Sequence, residues 1–167
     1  MKKFAIIIAA ILYFSTVSTY AYTPNPLYEK GYRGYVDFSV GVISSDNIIN
    51  TDLTTSHGYS TGFGLYTGLG TGLSFSPAYA GSILSMPLFL DLKYSILNRE
   101  FSPYIAMKTG INYSLENYTG GVYVSPSIGF DIKKHLSLLM RYIYETTSYD
   151  GYKFKKNAFS IGIAIGF

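Results

Sequence analysis

Few residues in this chain are of the types that do chemistry, and their spacing limits what they can do. The histidines are His57 and His135, and there is no cysteine. Two isolated histidines without thiols make no recognisable zinc site. His57 follows Ser56, but neighbours in an extended strand point to opposite faces and cannot form a nucleophile–base pair. His135 stands beside Lys133 and Lys134 in a predicted turn. Both histidines read as ordinary solvated or interfacial side chains, so no catalytic residue, metal site or cofactor is expected. The glycines between Gly62 and Gly72 keep a two-residue rhythm rather than the strand–turn–helix pattern of a phosphate loop. What remains is a sparse set of charges: Arg33, Lys93, Lys108 and Arg141 against Asp37, Asp91, Asp131 and Glu145. Asp91 with Lys93, or Arg141 with Glu145, have the spacing of a proton relay. Structural pairing inside the fold is the better reading, because salt-bridge networks perturb ionisable groups too.

The elements that must carry these charges show in a period of two. From Phe159 the residues Ile161, Ile163, Ile165 and Phe167 share one face, and Ala158, Ser160, Gly162, Ala164 and Gly166 share the other. Such alternation means an extended strand. A soluble protein would place Lys, Glu or Thr on its solvent side; here that side is small and nearly featureless. The same pattern recurs from Tyr32 to Ile43, Ile48 to Gly58, Phe63 to Phe75, Leu84 to Ile96, Ile105 to Leu115, Val122 to Ile132 and Leu136 to Glu145. With the last segment this predicts eight strands. Turns are predicted at Ser44 to Asn47, Tyr59 to Gly62, Leu97 to Glu100 and Lys133 to His135. Loops are predicted at Ser76 to Gly81, Glu116 to Gly120 and Thr147 to Lys155, the last carrying the hairpin dipeptide Asp150-Gly151.

Charge placement decides between a soluble barrel with an apolar inside and one with lipid outside. In the predicted strands the eight charges named above all fall on the small-residue face. A solvated surface would be about a quarter to a third charged, whereas a confined interior tolerates only a sparse, balanced set, since buried charges must pair. A Lys facing mid-bilayer would cost about 2–4 kcal/mol, and the apolar faces carry none. A lipocalin-like barrel fits less well with the inward glycines of Phe63 to Phe75. The fold class expected is therefore all-β, an eight-stranded antiparallel up-and-down transmembrane β-barrel. Tyr35, Tyr66, Phe89, Tyr104 and Tyr123 are expected to point inward. Tyr32, Tyr59, Tyr104, Tyr113, Tyr142 and Tyr144, near strand ends, suit aromatic girdles. Pro87 and Pro126 sit inside predicted strands, where each should mark a bulge or lie at the membrane boundary.

Composition agrees. Hydrophobic residues are 48% and charged ones 14%, well below the quarter usual in soluble domains. Residues 1–21 read as a cleavable secretory signal peptide: Lys2 and Lys3, the apolar run Phe4 to Phe14, then Thr19-Tyr20-Ala21. That run is about half the ~20 residues a membrane-spanning helix needs. Residues 22–31 form a leader with Pro24 and Pro26, and 32–167 the barrel. Loss of Lys2 and Lys3 lowers the formal charge from +3 to nearly zero, so nothing argues for nucleic acid.

The chain resembles the small eight-stranded outer-membrane β-barrel family, of the OmpX-like and OmpA transmembrane-domain type. The resemblance rests on the signal peptide, the strand count, Ser102-Pro103-Tyr104 after a tight turn, Val124 to Gly129, and Phe167 at the end of the last strand. It implies a bacterial outer-membrane location and a monomer. Three short periplasmic turns and four outward loops would follow, Thr147 to Lys155 the longest. Phe167 would be the assembly signal read by the barrel-assembly machinery. Partners would be outer-membrane lipid and lipopolysaccharide, with Lys153, Lys155 and Lys156 as candidate contacts to lipopolysaccharide phosphates, set against a plain solvated hairpin tip. A structural or surface role is the leading functional expectation, ahead of a narrow diffusion channel and of a lipid A-modifying enzyme.

Overall fold

The computed structural model describes residues 29–45, 48–78, 81–97, 101–115, 119–149 and 152–167, with backbone alone at 78, 81–83, 147–149 and 152–154. The proposed signal peptide and most of the leader lie outside the described residues. Eight antiparallel strands follow one another: β1 (Lys30–Ile43), β2 (Ile48–Thr61), β3 (Leu65–Ala78), β4 (Gly81–Ser95), β5 (Phe101–Ser114), β6 (Thr119–Ile132), β7 (Leu136–Tyr149) and β8 (Tyr152–Gly166). Each pairs with its sequence neighbours, and β8 returns to β1, so the sheet closes. Closure satisfies the edge backbone groups that hydrocarbon could not.

The register fixes the shape. From Gly34 the pairs run through His57, Leu69, Leu90, Thr109, Val124 and Tyr144 to Asn157. Asn157 then bonds Ser44, just past the upper end of β1 and well above the starting residue. This stagger tilts the strands by about 35–45°. The end where β1 starts and β8 finishes is here termed lower, the other upper.

Alternation sorts the side chains as the period of two requires. Phe38, Val40, Val42, Leu69, Leu88, Ile105, Ile128, Met140, Ile161 and Ile163 face out and are exposed, while the inward set is buried. From Tyr32 to Val42 the outward face rises about 25 Å at ~3.3 Å per residue along a tilted strand, the height of a barrel's apolar band. Tyr32, Tyr59, Tyr94, Phe101 and Phe130 ring its lower margin, and Tyr113 stands toward the upper one; all are exposed. Tyr142 and Tyr144 are half-buried on the outer face. Tyr104 does not join a girdle: it is 4% exposed and points inward, where the parity of β5 places it with Lys108 and Asn112.

Inward glycines serve as seats for aromatic rings. A Cβ on Gly70 would lie 2.4 Å from Phe89, and one on Gly129 2.6 Å from Tyr104. The residues opposite these glycines are therefore free to be large. Gly62 and Gly64, at φ 84° and 86°, make the β2–β3 turn, a conformation that side chains strain to adopt.

Two further expectations are corrected. The Thr147 to Lys155 loop is a tight hairpin, because β7 runs to Tyr149 and β8 starts at Tyr152. Pro87 and Pro126 make no bulge. Ser74 pairs with Ser85 and Thr71 with Leu88 in unchanged register either side of Pro87, and Val124 with Tyr144 and Ser127 with Arg141 either side of Pro126. Both prolines lie well inside their strands, away from the band's margins. The missing N–H breaks the ladder locally on one side, and each proline stays paired on the other, with Asn112 and Met107 respectively.

Candidate functional site

The barrel interior gathers the charges that the sequence analysis singled out. Its hub is Asp37 on β1. Lys108 reaches it from β5, across the barrel, and Arg141 Nη2 donates to the same oxygen from β7 at 2.7 Å. Lys108 also donates to Thr54 Oγ1 at 2.9 Å. These partners are almost wholly enclosed, with side chains 7%, 5% and 1% exposed for Asp37, Lys108 and Arg141. Ser56 donates to Asp91 at 2.7 Å, and Tyr66 donates to Ser56 at 3.2 Å.

A second knot fills the lower end. Lys93 Nζ meets Asp131 at 2.5 Å and sits over the rings of Tyr35 and Tyr104 at 4.5 and 4.0 Å. Ser95 and Ser137 donate to Asp131 at 2.7 and 2.5 Å. Tyr35 and Tyr66 meet edge to face at 4.9 Å. Arg33 donates to the Lys134 carbonyl at 2.6 Å and lies over Tyr35. Higher up, Phe89 and Tyr123 pack at 5.7 Å, with Lys108 above Phe89.

Two charges belong to this interior that the sequence set omitted. Lys156 turns inward to Glu145 at 2.8 Å, with Asn50 Oδ1 and Ser74 Oγ at 3.1 and 2.9 Å. Asp52 is 3% exposed and accepts from Asn50 at 2.6 Å. Both follow from parity: Lys156 is two residues before inward Ala158, and Asp52 lies between Asn50 and Thr54 on the inward face of β2. One cation and one anion are added, so the sign balance holds. Lys156 is thus committed to interior partners, which removes it as an outward lipopolysaccharide contact. Lys155 is exposed, and the side chain of Lys153 lies outside the described residues.

The outer face holds one polar group of interest. His57 is exposed there, while Ser56 is buried inside, as their adjacency requires. Tyr32 OH lies 2.5 Å from His57 Nδ1 and Thr55 Oγ1 3.3 Å from Nε2. Thr55, two residues from His57, shares its face, a spacing the sequence reading passed over. The ring of Phe167 stands edge-on to His57 at 5.7 Å, and Phe167 exchanges both backbone hydrogen bonds with Gly34. His135 Nδ1 donates to the Gly166 carbonyl at 2.8 Å, tying the β6–β7 turn to the end of β8. No group of metal-ligating side chains occurs among the described residues.

No family model matches the chain, and no curated protein matches its sequence. Solved structures do. The outer membrane enzyme PagL matches with a TM-score of 0.60 and 14% identity, covering 80% of this chain and 98% of that one. A de novo designed transmembrane β-barrel matches at 0.51 and 17%, covering 81% and 95%. The N-terminal β-barrel domain of Pseudomonas aeruginosa OprF matches at 0.52 and 9%, covering 83% and 100%. The chain has the fold of the small eight-stranded outer-membrane β-barrels. One of these three relatives in fold is an enzyme and another a design, so the fold brings no activity with it.

Proposed function

We propose that the chain is an integral barrel of the bacterial outer membrane with a structural or surface role, and that it conducts no solute. The observation that carries this reading is the filled interior. Tyr35, Tyr66, Phe89, Tyr104 and Tyr123 are each at most 6% exposed, and among them the Lys108–Asp37 pair runs from wall to wall. Eight-stranded barrels are just wide enough for side chains to fill, and these are large. An apolar outer band and an ion-paired interior support insertion in lipid. The fold's outer-membrane relatives support the location, which in turn requires the export signal proposed for residues 1–21. In that membrane the lower end would face the periplasm.

Two measurements test the reading together. Detergent-extracted outer membranes should show the chain migrating differently on gels with and without boiling. Purified protein in planar bilayers should show no unitary conductance; discrete steps would overturn the sealed interior.

One observation favours a second reading, an enzyme acting on a membrane lipid such as lipid A. Thr55, His57 and Tyr32 form a hydroxyl–imidazole–phenol row on the lipid face, with the spacing of a nucleophile, a base and an orienting group. Its third member is a phenol rather than a carboxylate, which leaves an imidazolium without a compensating charge. Mass spectrometry of lipid A from cells with and without the protein would reveal any lost or added acyl chain.

A further inference from the structure

The outer face is not uniform around the barrel. Over their central stretches the outward residues of β1 and of β4 to β8 are Val, Leu, Ile, Met, Phe, Tyr and Pro, with Thr109 the one aliphatic hydroxyl among the described residues. On β2 and β3 the same face carries Thr51, Thr55, His57, Thr67 and Thr71. Thr55 and Thr71 are direct cross-strand partners, as are His57 and Leu69. Thr55, Thr71 and His57 are thus one polar patch within the apolar band; Thr67 lies beside Tyr59 at its lower margin, and Thr51 is set apart by the Leu53–Leu73 pair.

Shape follows composition. Leu69 is 71% exposed and stands clear of its neighbours. Beside it a shallow groove runs between short Thr55 and Thr71 and taller Leu88 and Leu90. A knob and a groove of apolar and hydroxyl character therefore adjoin on one face.

In place of the monomer expected from the sequence, we propose that the β2–β3 face is a lateral interface with a second copy of this chain. Acyl chains gain nothing from hydroxyls and cannot hydrogen-bond them; a facing protein surface with the same hydroxyls can, and small residues let the two backbones approach. Two copies inserted in the same sense are related by a two-fold axis along the membrane normal, which keeps every residue at its own height. Under that operation Leu69 of one copy meets the Thr55–Thr71–Leu88 groove of the other, and the two threonine pairs face each other. An interface of two to three strands is small, so association should depend on protein density in the membrane.

The chain has no cysteine, so single cysteines report proximity without background. Thr71→Cys on the proposed interface and Ile128→Cys on the far wall would be compared in phosphatidylcholine vesicles with a short bis-maleimide, over a range of lipid-to-protein ratios. The expected dimer yield for Thr71→Cys exceeds that for Ile128→Cys by about tenfold, the ratio that ~1.4 kcal/mol of association gives. It should fall as lipid is added. Adding Leu69→Ala and Thr55→Leu should reduce it to the Ile128→Cys level while the unboiled gel band still shows a folded barrel. Leu73→Cys, one step along the same face, repeats the measurement should Thr71→Cys fold poorly. Equal yields at the two walls, or a yield unmoved by Leu69→Ala with Thr55→Leu, would overturn the proposal.

Discussion

Replacing Asp37 with Asn tests the interior network at its hub. Asp37 compensates two cations, Lys108 and Arg141. At 2.7 Å the arginine pair alone is worth roughly 6 kcal/mol of attraction at an effective dielectric constant near 20. That attraction offsets a desolvation cost of several kcal/mol for each enclosed ion. Asn keeps the shape and one acceptor but removes the charge, so both cations stay buried with their desolvation uncompensated. The expected loss is about 3–5 kcal/mol, two to four powers of ten in the folded-to-unfolded ratio. Because the chain has no tryptophan, the folded fraction is best followed by unboiled gel migration across a urea titration in lipid vesicles. Asp37→Asn combined with Lys108→Met restores the sign balance and should recover part of the loss, a coupling that independent sites would not show. An Asp37→Asn midpoint equivalent to less than ~1 kcal/mol of change would refute the reasoning, since the enclosed cations would then not need their anion.

Other predictions separate buried from exposed chemistry. Glu29→Gln breaks the pair with Lys134, whose side chains are each 35% exposed; stability should change by less than ~1 kcal/mol in the same titration. Gly129→Val should cost about 1–3 kcal/mol, read as a lower urea midpoint, because its Cβ would lie 2.1 Å from the Leu138 carbonyl and 2.6 Å from the Tyr104 ring. Raising salt from 0.05 to ~1 M shortens the screening length to ~3 Å, yet the interior pairs should not respond, because bulk ions do not reach them. Lys156→Gln should lower stability by removing the cation that meets Glu145 at 2.8 Å, whereas Lys155→Gln on the opposite face should leave the midpoint unchanged.

The sheet and its two faces were legible because lipid and a crowded interior impose opposite demands on alternate residues. The ladder does not end where that demand ends. Thr146, Thr147 and Ser148 carry no apolar alternation, yet β7 continues through them, since backbone pairing above the apolar band needs no greasy side chain. The β7–β8 loop was overestimated for that reason. Which interior ions meet was not legible either. Asp37 and Lys108 lie 71 residues apart, and only the stagger of the closed sheet brings them together. Nearness to a hairpin suggests an outward Lys156, although counting back from Ala158 turns it inward. Tyr104 was counted in both an aromatic girdle and the interior; only its parity on β5 gives the right place.

The bond from Lys108 to Asp37 joins walls half a turn apart in an eight-membered ring, with mechanical consequences. A thin cylinder squeezed from the side by its surroundings tends toward an ellipse, and its widest diameter then opens a passage. A brace across the full section at mid-height, with Lys93 and Asp131 bridging a quarter of the ring near one mouth, resists that distortion. Flattening would have to pull opposite charges apart where no bulk water can replace the lost partner.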